Sequence, residues 1–261
     1  MKLRWFGISL LFLTILLVLS CDSDEEKIVC HLSSVKTADG TEEYVYNAEN
    51  KIVAMLLHSE EWEARVNLEY NGKGQLTGMM SFDVTQPEEF DTYKLIYDGN
   101  DKPLKAQYWS PRGDLSQPPE SVLTFYHDGR GRLMKWEISF DDIVWHTRRF
   151  VYDNRNNVVK IFFTYGSQEY LGLENLSFDS RSKYYGGAPE LETLSVYMRL
   201  FQPGRNNPLT ARTYTGPNSQ PVSVNYTVGY DENRLITSHH ASTSATGNDR
   251  DFDEVTYNCP L

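Results

Sequence analysis

The sequence predicts an all-β fold, an antiparallel up-and-down meander of about eight hairpins closing into one barrel. Two observations predict it. A short phrase led by an aromatic residue and rich in turn formers recurs along the chain, and the residues flanking it alternate between apolar and polar. The clear copies are YNAENKI from Tyr46, YNGKGQL from Tyr70, YDGNDKPL from Tyr97, YHDGRGRL from Tyr126 and YDNRNNV from Tyr152. Weaker copies begin at Phe178, Phe201 and Tyr230. Tyr46 and Tyr230 lie 184 residues apart over seven intervals, about 26 residues per unit, which is the signature of one supersecondary unit repeated in series.

Each unit reads as a hairpin. Val66, Leu68 and Tyr70, or Val224, Tyr226, Val228 and Tyr230, recur at the period of two that a half-buried strand requires. At the phrase the strand stops, because Asp, Asn and Gly tolerate positive φ and supply side-chain turn bonds. An apolar residue then opens the return strand, as in Leu133-Met134-Lys135-Trp136-Glu137-Ile138. The phrases differ in length by a residue or two, a difference that bulges can absorb. The expected place of the tyrosine is the strand end, its ring apolar and its hydroxyl near water. About sixteen strands in an open sheet would curl or close, since free edges invite aggregation. A propeller fits less well, because it needs four strands per unit.

The N-terminal region gives an address. MKLR and an apolar run from Trp5 to Leu19 have the sections of a secretory signal, residues 1–20, too short to span a bilayer. Val18-Leu19-Ser20-Cys21 resembles the bacterial lipobox, which makes Cys21 the expected lipidation site. Residues 21–27 then read as an acidic tether, and 28–261 as a single barrel domain. Several buried acyl chains hold such a protein firmly to a membrane. Removal of Lys2 and Arg4 with the signal takes the net charge from -11 to -13, which disfavours nucleic acid as a partner.

Signal, tether and serial Tyr-Asx hairpins together resemble a Bacteroidota surface lipoprotein family of unknown function with a porin-like domain. The hairpins are also similar to the YD repeats of Rhs-type shells. The resemblance implies a porin-like barrel and an outer-membrane, cell-surface address, and it brings no catalytic residue with it.

With Cys21 assigned to lipid, Cys30 and Cys259 remain near the two ends of the barrel domain. First and last strands of an up-and-down barrel are neighbours, so these cysteines are expected to pair across the seam in an oxidising compartment. Charge on both faces of several strands, such as Glu42 and Glu43 or Arg148 and Arg149, with a mean hydropathy of -0.51, argues for a soluble barrel rather than a membrane pore.

The catalytic signals are weak. His239 and His240 on one strand point to opposite faces, and the remaining histidines, at 31, 58, 127 and 146, show no ligand spacing, so no metal and no other cofactor are expected. Asp249, Asp251 and Asp253 share a strand face but lack the order of a calcium loop. No Gly-x-Ser-x-Gly elbow is present. The expectation is a non-enzymatic binding or interaction module whose candidate partners are a glycan, an apolar small ligand or an envelope protein. The alternatives are an accessory docking onto an outer-membrane transport or secretion complex and, third, a hydrolase with carboxylates in the barrel mouth. Trp62, Tyr108, Trp109, Trp136 and Trp145 are the aromatic candidates for ligand stacking.

Overall fold

A computed structural model describes residues 30–110, 115–165, 167–182, 204–242 and 253–259. Cys21, the tether, Phe201, Asp249 and Asp251 lie outside these residues. Cys30–Asn258 forms one compact unit of sixteen antiparallel strands without a described helix. The strands are β1 His31–Thr37, β2 Gly40–Tyr46, β3 Ile52–His58, β4 Glu63–Tyr70, β5 Leu76–Asp83, β6 Phe90–Tyr97, β7 Pro103–Trp109 and β8 Ser121–His127. The second half comprises β9 Leu133–Phe140, β10 Ile143–Tyr152, β11 Val158–Tyr165, β12 Gln168–Ser182, β13 Asn206–Thr213, β14 Val222–Tyr230, β15 Ile236–Ala241 and β16 Glu254–Asn258. Each strand pairs with its sequence neighbour from β1 to β15, and β16 pairs with β1. The result is a nearly closed up-and-down barrel.

The phrases form the turns at one end, and six of them are built alike. Tyr46 pairs with Ile52, Tyr70 with Leu76, Tyr97 with Pro103, His127 with Leu133, Tyr152 with Val158 and Tyr230 with Ile236. In each case a one-residue bulge sits immediately beside that pair. The following Asn or Asp closes the turn through its Oδ1, as when Asn71 accepts from the amides of Lys73 and Gln75 at 3.0 Å each. Positive φ falls at the same place every time, on Asn50, Gly74, Asp101, Gly131, Asn156 and Arg234. The differences in phrase length are therefore only apparent. In the fourth unit His127, not Tyr126, occupies the anchor place, and in the third Pro103 takes the apolar place before Leu104.

The tyrosine hydroxyls do not face water as expected. Tyr46 donates to the carbonyl of Leu32 at 2.7 Å, Tyr70 to Ile52 at 2.6 Å, Tyr97 to Leu76 at 2.7 Å and Tyr152 to Leu133 at 2.7 Å. Three of these acceptors, Ile52, Leu76 and Leu133, are the partners of the preceding unit's anchor, so each tyrosine clips its hairpin to the one before. A buried carbonyl needs such a donor, and the ring meanwhile covers the core. Tyr230 breaks the pattern and donates to the Asp179 carboxylate, which also accepts from the backbone and side chain of Asn207.

Inside, alternation fills the barrel. Leu32, Ile52, Met55, Val66, Met79, Phe125, Ile161, Leu173 and Val224 belong to one buried cluster to which strands around the whole sheet contribute. Cross-strand register lines up Phe125, Trp136, Arg148, Phe163 and Tyr170 in one inward row. The Arg148 guanidinium in that row lies 5.2 Å from the Trp136 ring centre and 4.9 Å from that of Phe163, a stacked cation on a charged strand that a simple apolar pattern does not announce. Arg149 faces outward and forms a two-point ion pair with Glu169, at 3.0 and 2.7 Å. Lys160, Glu174 and Arg212 continue the charged outer wall, unlike the apolar band of a membrane-spanning barrel.

Cys30 and Cys259 are disulfide-bonded, as the sequence suggested. They flank the His31↔Asn258 pair of the β1–β16 ladder, which carries a register shift between Leu32 and Ser34, so the bond caps a strand pair where the hairpins have a turn. The first and last strands are thus neighbours, as expected, while the ladder is interrupted between β15 and β16, the two terminal strands of the described sheet.

Candidate functional site

The up-and-down path gives the barrel two unlike rims. The repeat rim carries the six repeat turns, five led by Tyr-Asx and one by His127-Asp128, and the start of β1. Its cations and acids alternate and pair: Lys73 reaches Asp101 of the next turn at 2.7 Å, and Arg132 donates to Asn156 of the next at 3.2 Å. Hydrogen bonds from the backbone amides of Lys102 and Asn100 hold the Asp98 carboxyl below the usual carboxylate range, and those from Arg132 do the same for Asp128. This rim is self-satisfied.

The far rim is made by the other set of connections, β1–β2, β3–β4, β5–β6, β7–β8 and so on. Exposed large apolar side chains gather there: Trp62, Val84, Leu115, Phe140, Ile143, Val144 and Trp145. The last four form one feature. Asp141 and Asp142 both have positive φ, giving the tight two-residue turn that joins β9 to β10. Pairing of β10 with β11 begins only at His146↔Tyr165, so Ile143 to Trp145 extend past that neighbour by about 10 Å at the usual rise per residue. The Phe140 and Trp145 rings meet edge to face at 6.2 Å. Ile143 is 71% exposed and Trp145 58%. Phe140 and Ile143 pair on one face of this finger, while Val144 pairs with Ser139 on the other, so both faces are apolar at the tip.

The sequence candidates separate by this geometry. Of the five aromatics, Trp62 and Trp145 are exposed at the far rim. Trp136 is buried inward, and Trp109 is buried on the outer wall, where its Nε1 donates to the Gln117 carbonyl at 3.0 Å. Tyr108 faces inward against Tyr93 and donates to Asp91 at 3.2 Å, and burial raises its pKa. His239 is buried and stacked on Tyr226, while His240 is exposed on the opposite face. His146 is buried against Trp136, with Nδ1 3.1 Å from the Thr164 carbonyl. Burial is the main cause of a lowered pKa at His127, with Lys102 adding to it. Among the described residues no group of three or more His, Cys, Asp or Glu side chains is arranged to hold a metal ion. Asp253 continues the β1–β16 edge, its amide donating to the Lys36 carbonyl at 2.8 Å. The projecting finger was missed by sequence reasoning. Its signal was present in the run FDDIVW, a two-acid turn between apolar residues with no polar alternation.

No protein-family model and no curated protein matches the chain. Among solved structures the chain is similar to a porin-like protein from Bacteroides uniformis, with 15% identity, a TM-score of 0.53 and coverage of 89% of this chain and 96% of that one. The likeness shows the fold, a porin-like up-and-down barrel. Weaker similarity, at a TM-score of 0.34 and 14% identity, links 82% of this chain to 9% of a chain in the Photorhabdus luminescens Tc holotoxin pore. The TcdB2–TccC3–Cdc42 complex matches at the same TM-score and 12% identity, over 85% of this chain and 13% of that one.

Proposed function

We propose that this chain is a non-enzymatic, lipid-anchored protein of the outer envelope whose barrel docks onto another envelope protein. The observation that carries the reading is the contrast between interior and rim. A barrel that takes up a ligand needs an open lumen, whereas here the inward side chains build one buried cluster and the two most exposed large apolar groups among the described residues, Ile143 and Trp145, lie together at the far rim. The address rests on the signal and on Cys21. Display on the cell surface rather than in the periplasm rests on the acidic tether.

Native mass spectrometry of the protein extracted from its own membrane tests the proposal. The expected spectrum contains the acylated chain bound to a second polypeptide, and Cys21→Ala releases the chain from the membrane fraction. A retained glycan or small molecule in place of a polypeptide would contradict docking and restore the ligand-binding alternative. An unacylated chain would contradict the anchor.

A further inference from the structure

The two rims differ in charge among the described residues. The described loops of the far rim contain the acidic pairs Glu60–Glu61, Glu88–Glu89 and Asp141–Asp142, with single acids at Asp39, Glu120 and Asp253. Not one lysine or arginine occurs among the described residues of those loops. The repeat-rim turns instead mix both signs, as Lys73–Asp101 and Asp128–Arg132 show. The described loops of the far rim are therefore net negative around an apolar projection, an arrangement that selects partners by charge and holds them by burial.

Resting on the docking reading above, we infer that the far rim docks onto a cationic protein surface with an apolar groove, and that the Phe140–Trp145 finger occupies the groove. Charge complementarity decides the occupant. An anionic membrane surface is repelled by the acidic loops. A flat sugar ring has no use for a finger apolar on both faces, whereas a groove covers both at once. Insertion buries Ile143, Val144 and Trp145, and Asp141 and Asp142 at the tip then need cations inside the groove, because an unpaired buried carboxylate is strongly penalised. Tryptophan in a desolvated centre with charge around it is also the usual composition of an interface hot spot.

The test places the photo-cross-linking residue p-benzoylphenylalanine at position 143 of the full-length chain in its own cells, with position 155 on the repeat rim as the comparison. The expected result is one protein adduct at 143 and none at 155. That protein, purified, binds the wild-type barrel with an affinity that falls as salt rises. Trp145→Ser weakens binding about tenfold or more, and the pair Asp141→Asn and Asp142→Asn flattens the salt dependence. Both changes lie in exposed positions, and an unchanged melting temperature confirms that the variants fold. Adducts at 155 alone or salt-independent binding would overturn the inference while leaving docking in place, and adducts with lipid alone would overturn both. Absence of adducts at both positions would overturn docking as well.

Discussion

The hydroxyl of Tyr257 in β16 donates to the carbonyl of Ile236 in β15 at 3.0 Å, across the point where the ladder of described strands is interrupted. Ile236 is the partner of Tyr230, so this bond repeats the clip that joins every other described tyrosine-anchored unit to its predecessor, except at Tyr230 itself. The sequence around it, Tyr257-Asn258-Cys259, is a further Tyr-Asx step that ends in a disulfide instead of a turn. The barrel is thus brought round by the same device that builds its units. Tyr257→Phe removes the donor and leaves a carbonyl unpaired, at an expected cost of about 1 kcal/mol. Hydrogen exchange should show faster exchange at β15 and β16 than in the wild type, with the β4–β5 hairpin unchanged.

Stability should fall at high pH through the same residue. Burial, with Asp231 and Tyr46 nearby, raises the Tyr257 pKa, and burial raises that of Tyr97. The folded state then holds the phenolic proton more tightly than the unfolded state, so the contribution is complete below the unfolded value of about 10 and is lost as pH rises beyond it. The opposite sign applies at Asp98 and Asp128, whose lowered pKa values make their contribution complete above the ordinary carboxylate range and lost as pH falls through it. Melting temperature measured against pH should decline at both extremes, with Tyr257→Phe softening only the alkaline decline.

The turns make a separable prediction. Asn71→Ala deletes the acceptor for two backbone amides and is expected to destabilise by about 1–2 kcal/mol, while Asn71→Asp keeps the acceptor and stays close to wild type. Urea unfolding of the three proteins measures the difference.

Packing gives a fourth. Leu173 is fully buried, and Leu173→Ala should cost about 2–5 kcal/mol. Its neighbour Gly172 lies directly under the Phe163 ring, so that even a Cβ there would collide with it. Gly172→Ala should therefore destabilise by about 1–3 kcal/mol through overpacking, despite alanine's better intrinsic order. Denaturant midpoints with an unchanged slope would establish both as native-state effects.

Much of this architecture is legible in the sequence because its information is local. An aromatic anchor followed by turn-forming residues specifies a strand end and a turn, and eight such phrases, five of them Tyr-Asn or Tyr-Asp, specify a meander. The Cys30–Cys259 bond was legible from topology, since closing an up-and-down meander makes its first and last strands neighbours. What was not legible depends on contacts between units. The clip from Tyr70 to Ile52 spans two hairpins, and no spacing rule within one phrase reveals it. His127 at an anchor place was hidden by Tyr126 beside it, whose hydroxyl instead turns out to Glu137 at 2.6 Å. At the rims, single residues do not show which loops share an end. Only the alternation of path direction assigns Glu60, Glu88 and Asp141 to one rim and the Tyr-Asx turns to the other.

The measurement that tests the central claim most directly is hydrogen exchange read by mass spectrometry, comparing the protein as extracted from its membrane with the isolated barrel. The account predicts extra protection in the extracted protein confined to the far rim, above all in the peptide covering Ser139 to His146, and no change in the turns after Tyr46, Tyr70 and Tyr97. Protection centred on those turns, or spread through the inward rows of the barrel, would contradict it.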